Sequence, residues 1–142
     1  MLIRYPSATV LFIDAYKDAR QYYVQRLTTS APDYLIVEAD TGAAGLSLCE
    51  SMQINCVVSE LDLPDTSGFQ VLVDLVRRVH HPEVAVIILT RVDIETFPQH
   101  ALKNGAFAYL VKSRTSGDEL DKVIRKAIPA AVPRTRMEEP RN

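Results

Sequence analysis

The chain has no tryptophan, two cysteines, and no apolar run long enough to cross a membrane. Each shortage excludes something. Cys49 and Cys56 stand in or beside apolar stretches and share no C-x-x-C or similar spacing. They read as buried free thiols, and a zinc site is not expected. The longest apolar runs are about six residues, against the roughly twenty a membrane-spanning helix needs. The opening Met1-Leu2-Ile3-Arg4-Tyr5-Pro6 is too short and too mixed for a secretory signal. A soluble cytoplasmic protein without membrane insertion is therefore expected, which leaves a membrane-bound partner open. Charge of one sign is also lacking. A net charge of −2 gives no electrostatic case for nucleic acid binding by this domain. Finally, no phosphate-cradling glycine-rich loop and no nucleophile–base pair follows any expected strand, so an enzyme is not expected.

What is present suits one domain. The 142 residues are 47% hydrophobic, enough to bury a real core. Apolar runs alternate with amphipathic segments five times. Thr9 to Ile13 reads as a first strand, buried on both faces. Lys17 to Thr29 follows as a helix with Ala19, Tyr23 and Leu27 on one side. Tyr34 to Ala39 is a second strand, and Thr41 to Met52 a second helix with Ala44, Leu48 and Met52 aligned. Cys56 to Ser59 is the third strand. Gly68 to Val79 is helical, with an inward stripe of Phe69, Leu72, Val73 and Val76.

Val84 to Leu89, mostly β-branched, is the clearest strand and ends at Thr90. Ile94 to Lys103 reads as a helix closed by Asn104-Gly105, with Pro98 near its start. Phe107 to Val111 is the fifth strand. Ser116 to Ile128 is the last helix, with Leu120, Val123, Ile124 and Ala127 on one side and a capping box from Ser116 to Glu119. Five βα units of about 25 residues predict an α/β fold, a parallel sheet with helices on both faces. Periodicity does not choose the strand order. Residues 1–7 read as an N-terminal tail, and the proline-rich stretch 129–142 as a disordered tail or the start of a linker.

The most informative stretch is Asn55-Cys56-Val57-Val58-Ser59-Glu60-Leu61-Asp62-Leu63-Pro64-Asp65-Thr66-Ser67-Gly68-Phe69. A buried strand ends in an acid, then turn residues, then a helix. An open parallel sheet places its chemistry at that mouth. Four further features sit at the corresponding strand ends: Asp14-Ala15, Thr90, Gly105-Ala106-Phe107-Ala108-Tyr109, and Lys112 followed by Ser113.

Together these features resemble the receiver domain of bacterial response regulators over residues 8 to 128. The resemblance implies the flavodoxin-like strand order 2-1-3-4-5. It implies an aspartate that takes a phosphoryl group from a histidine kinase, at the position where this chain has Glu60. It also implies a magnesium ion, which here would rest on Asp14, Glu60 and Asp62. Thr90 and Tyr109 would form the switch, and Lys112 would hold phosphoryl oxygens.

The chain departs from that pattern at three points. Ala15 removes one of two metal carboxylates. Glu60 is one methylene too long, and a misplacement near 1 Å can cost roughly 100-fold in rate. Ser113 stands where a proline often follows the lysine. At most weak magnesium binding is expected, and no other cofactor.

The expected function is an atypical receiver that signals by protein–protein contact with little or no phosphorylation at position 60. The alternative is a working phospho-accepting receiver that uses magnesium. Glu60 reads either as a built-in mimic that bonds to Lys112 or as a leftover acid without a switch. Thr90 and Tyr109 read either as a relay or as plain packing. Arg91 is expected to narrow the pocket or to pair with Glu60 or Asp62. The expected partners are a histidine kinase or another signalling protein. A second copy of the chain is the further candidate, through the fourth helix, fifth strand and fifth helix.

Overall fold

The computed structural model describes residues 6–77 and 84–131. Five strands form one parallel sheet: β1 (Ala8–Ile13), β2 (Tyr34–Ala39), β3 (Cys56–Ser59), β4 (Ala85–Thr90) and β5 (Ala108–Val111). Their order is β2-β1-β3-β4-β5, as the resemblance implied. The helices between them are α1 (Lys17–Ser30), α2 (Gly42–Ser51), α3 (Gly68–Arg77), α4 (Phe97–Lys103) and α5 (Gly117–Ala130). A short 3-10 turn, Lys112–Arg114, follows β5.

Successive side chains of a strand point to opposite faces. Val10 and Phe12 therefore join Val58, Ile87, Tyr23, Leu27, Leu120 and Ile124 in a core beneath α1 and α5. Leu11 and Ile13 join Val57, Ile88, Leu72 and Leu75 in a second core on the other face. β1, β3 and β4 are buried along their whole length, which explains their unbroken apolar runs. Cys49 and Cys56 are buried, and neither is in a disulfide. Burial pushes the Cys56 thiol up to about 12, so it carries no thiolate for chemistry.

The helix ends obey local chemistry. Ser116 accepts a hydrogen bond from the Glu119 N–H at 3.1 Å, the expected cap of α5. Gly105 closes α4 with φ of 106°, a conformation few other residues adopt. On α1, Tyr23 is core and Tyr22 surface.

Several expected boundaries and faces differ. α4 begins at Phe97 rather than Ile94, because Pro98 favours the first turn and residues 94–96 form the approach to it. β4 runs from Ala85 to Thr90, one residue later than expected, in register with β5 (Thr90 opposite Val111). α5 continues two residues past Ile128. Pro129 removes only its own N–H, and the Ala131 N–H still bonds the Ala127 carbonyl at 3.1 Å. In α2, Ala44 is exposed, and Gly45 and Cys49 face the sheet instead. Gly45 lies against Ile13, so the bare backbone makes the closest approach. In α3, Val76 is half exposed, and Val71, Leu72 and Leu75 take the inward face. The expected last turn of the third helix, residues 78 and 79, the following His80-His81, and the expected tail from residue 132 onward fall outside the described residues. Among the described residues, no helix is long and apolar enough to cross a membrane.

Candidate functional site

Three strands end at one mouth of the sheet. β1 delivers Asp14, β3 delivers Glu60 and β4 delivers Thr90, while Lys112 follows β5. Backbone bonds continue the sheet past its named ends: the Asp14 N–H to the Ala39 carbonyl at 2.9 Å, and the Glu60 N–H to the Ile13 carbonyl at 2.8 Å. Both acids are therefore aimed by sheet geometry rather than by loop flexibility.

Lys112 is the hub. Its Nζ lies 2.7 Å from Asp14 Oδ2 and 3.1 Å from Glu60 Oε1. The Lys112 side chain is 12% exposed, Asp14 7% and Glu60 0%. At that burial a charge needs its counter-charge, so the three groups depend on one another. The remaining oxygens are also occupied. Asp14 Oδ1 accepts from the Tyr16 N–H at 2.8 Å. Glu60 Oε2 accepts from the N–H groups of Leu61 and, at 3.2 Å, Asp62. The Arg91 N–H reaches Glu60 Oε1 at 3.4 Å.

Asp62 is not brought into this group. Its carboxylate accepts from the Tyr16 hydroxyl at 3.0 Å and lies 3.8 Å from the Arg91 guanidinium. Ala15 contributes no carboxylate at all. The donor set therefore does not fit a divalent cation, which needs several free oxygens in near-octahedral array. Among the described residues, no group of three or more His, Cys, Asp or Glu could hold a metal ion.

Thr90 and Tyr109 converge on one residue. Thr90 Oγ1 accepts from the Val92 N–H at 3.1 Å, and the Tyr109 hydroxyl donates to the Val92 carbonyl at 2.7 Å. Burial raises the Tyr109 phenol above its ordinary value, which keeps it a donor. Both residues thus pin the start of the loop between β4 and α4. Of the expected pairings, the Arg91 side chain makes the one with Asp62, and it meets Glu60 only through its backbone N–H.

Three contributors escaped the sequence reading. Tyr16, directly after Asp14-Ala15, stands over Lys112 with its ring centroid 5.1 Å from Nζ. An aromatic two residues after Asp14 was the available signal. Tyr23, on the core side of α1, donates its hydroxyl to the Thr115 carbonyl at 2.8 Å and so braces the turn after Lys112. No local signal marks that contact, since 92 residues separate the pair. Asp65 accepts from the Gly42 and Ala43 N–H groups, each at 2.9 Å, and so ties the loop after Glu60 to the start of α2. Thr41 caps the next N–H of that helix, from Ala44.

The Asp65 tie carries a pH signature. Its hydrogen bonds to the Ala43 and Gly42 N–H groups hold the carboxyl below its ordinary value. A depressed folded value means that the contribution is complete above the ordinary carboxylate range. It is lost as pH falls through the lowered folded value. Asp65→Asn is therefore expected to melt below the unaltered protein at neutral pH, with the gap closing in acid. Thermal melts across pH check this, and a gap that widens in acid contradicts it.

The model of the response regulator receiver domain family matches residues 10–125. The transcriptional regulatory protein DegU of Brevibacillus brevis is 29% identical over 63% of this chain and 37% of its own length. The nitrate/nitrite response regulator protein NarL of Escherichia coli strain K12 is 31% identical over 80% of this chain and 51% of its own length. The chain thus spans about half or less of these curated relatives. A solved response regulator receiver domain from Clostridium thermocellum is 28% identical, with a TM-score of 0.76, covering 87% of this chain and 95% of that one. Sheet order, the acid-and-lysine mouth and the family match agree: the chain belongs to the response regulator receiver domain family of two-component signalling.

Proposed function

We propose that this domain is an atypical receiver that works without phosphorylation at position 60. Lys112, bound to Glu60 and Asp14 together, is the single observation that carries this reading. In a phosphorylated receiver an added anion draws the lysine. Here a resident carboxylate, reaching one methylene further than aspartate, already holds it. The two acids share one internal cation where the family would use a metal. Receiver domains partner with histidine kinases, and partner contact is the output proposed here. The face of α4, β5 and α5 is the proposed contact, supported by exposed Leu102 and Phe107, with Ile94 beside it.

The test is intact mass after incubation with magnesium and a small phosphodonor, run beside Glu60→Asp. The unaltered protein is expected to gain no phosphate. If only the aspartate variant gains it, residue 60 alone blocks the chemistry and the proposal stands. A phosphate gain by the unaltered protein overturns the proposal and restores the magnesium-dependent reading.

A further inference from the structure

The geometry points to a lid over the acidic pocket, built from Tyr16, Arg91 and Asp62. This inference rests on the preceding reading only in taking Glu60 and Lys112 as a resident pair. Three loops meet in the lid: the one after β1, the one after β3 and the one after β4. The Arg91 guanidinium lies over the Tyr16 ring, 4.1 Å from its centroid, and donates to the Tyr16 hydroxyl. That hydroxyl donates onward to Asp62 at 3.0 Å. The Asp62 bond also raises the Tyr16 phenol above its ordinary value, which keeps the donating proton in place. The other cation near the ring is Lys112 itself. One aromatic side chain therefore has the pocket's lysine and a surface arginine within cation–π reach.

The lid lies at the surface while what it covers does not. The side chains of Arg91 and Asp62 are 62% and 60% exposed, against 0% for Glu60. Exposed cation–π and ion-pair contacts are individually weak. A lid made of them opens readily when one member is removed. Against it lies an open pocket of about 480 Å³, lined by Tyr16 and Arg91 of the lid, by Ala15, Lys17, Asp18 and Ala19, and by Lys112. Tyr16 and Arg91 stand in the wall of this approach to Lys112 and narrow it. The lid is thus a second barrier to phosphodonors and cations, separate from the extra methylene at residue 60.

Acylation of lysines by a small succinimidyl ester tests the lid without any phosphate chemistry. Peptide mapping compares Lys112 with Lys17, Lys103, Lys122 and Lys126 in the unaltered protein, Arg91→Ala and Tyr16→Ala. Lys112 is expected to react slowest in the unaltered protein and about tenfold faster in each variant, the scale of losing one or two weak contacts. Lys103, Lys122 and Lys126, which do not line the pocket, are expected to keep their rates, which with unchanged melting shows that the fold is intact. Removing a neighbouring cation would by itself slow acylation of an ammonium, so acceleration in Arg91→Ala reports access. Acceleration in both variants supports the lid, and acceleration in one or neither overturns it. Because the reagent is no phosphodonor, the lid and the phosphorylation-independent reading fail separately.

Discussion

Lys112→Met is expected to destabilise the domain by about 3–5 kcal/mol, the usual consequence of removing one partner from a buried ion pair. Methionine nearly conserves the stem, so packing is kept while the charge is lost. What remains is two carboxylates in a site from which water is largely excluded. The two acids were apposed because a cation lay between them. Without it, each loses its strongest partner and gains a like-charged neighbour. A fall in melting temperature on the order of 10 °C or more is the observable. Adding Glu60→Gln to Lys112→Met is expected to recover part of the loss, because one of the two stranded charges disappears. The double-mutant cycle measures that coupling directly. Melting of Lys112→Met within about one degree of the unaltered protein would show that the triad does not hold the mouth together.

Gly68→Ala is expected to cost about 1–3 kcal/mol, the range for overpacking a well-filled site. A Cβ at this position would lie 2.5 Å from the Glu60 carbonyl oxygen and 2.9 Å from the Leu61 Cα. Both are backbone atoms at the end of β3, and neither can swing aside as a side-chain tip would. The chain here folds back on itself, with the Gly68 N–H bonded to the Leu61 carbonyl at 2.8 Å. Relief must come from shifting residues 60 and 61, which carry the Glu60–Lys112 contact. The variant should therefore show amide shift changes at Glu60, Leu61 and Lys112 as well as lower stability. Lower stability with an unperturbed Lys112 would place the strain elsewhere in the loop.

Much of this was legible in the residues. Unbroken apolar runs announced β1, β3 and β4, because a strand covered on both faces has no polar side. β2 lies at the sheet edge and mixes Glu38 with apolar neighbours, yet flanking turn residues still bounded it at Tyr34 and Ala39. Caps were readable because they are local: Ser116 needs only a neighbour three residues on, and Gly105 needs only its own φ. Helix faces were less readable. A stripe drawn through Ala44 or Val76 is off by a fraction of a turn. A glycine against Ile13 contributes nothing to an apolar pattern, though it marks the closest approach of helix to sheet.

The sequence by itself determined the alternation of strands and helices, the ends where acids and lysine stand, and that an alanine, not a second acid, follows Asp14. These are properties of single positions and short periods. Only the tertiary structure decided which groups share a proton donor or a counter-charge. Lys112 is 98 residues from Asp14, yet it lies within bonding distance of both Asp14 and Glu60. Asp62, two residues from Glu60, turns instead to Tyr16 and Arg91. Neighbours along a chain can point apart, and residues far apart in sequence meet where parallel strands end side by side. The partners of a buried charge are therefore settled by the closing of the sheet.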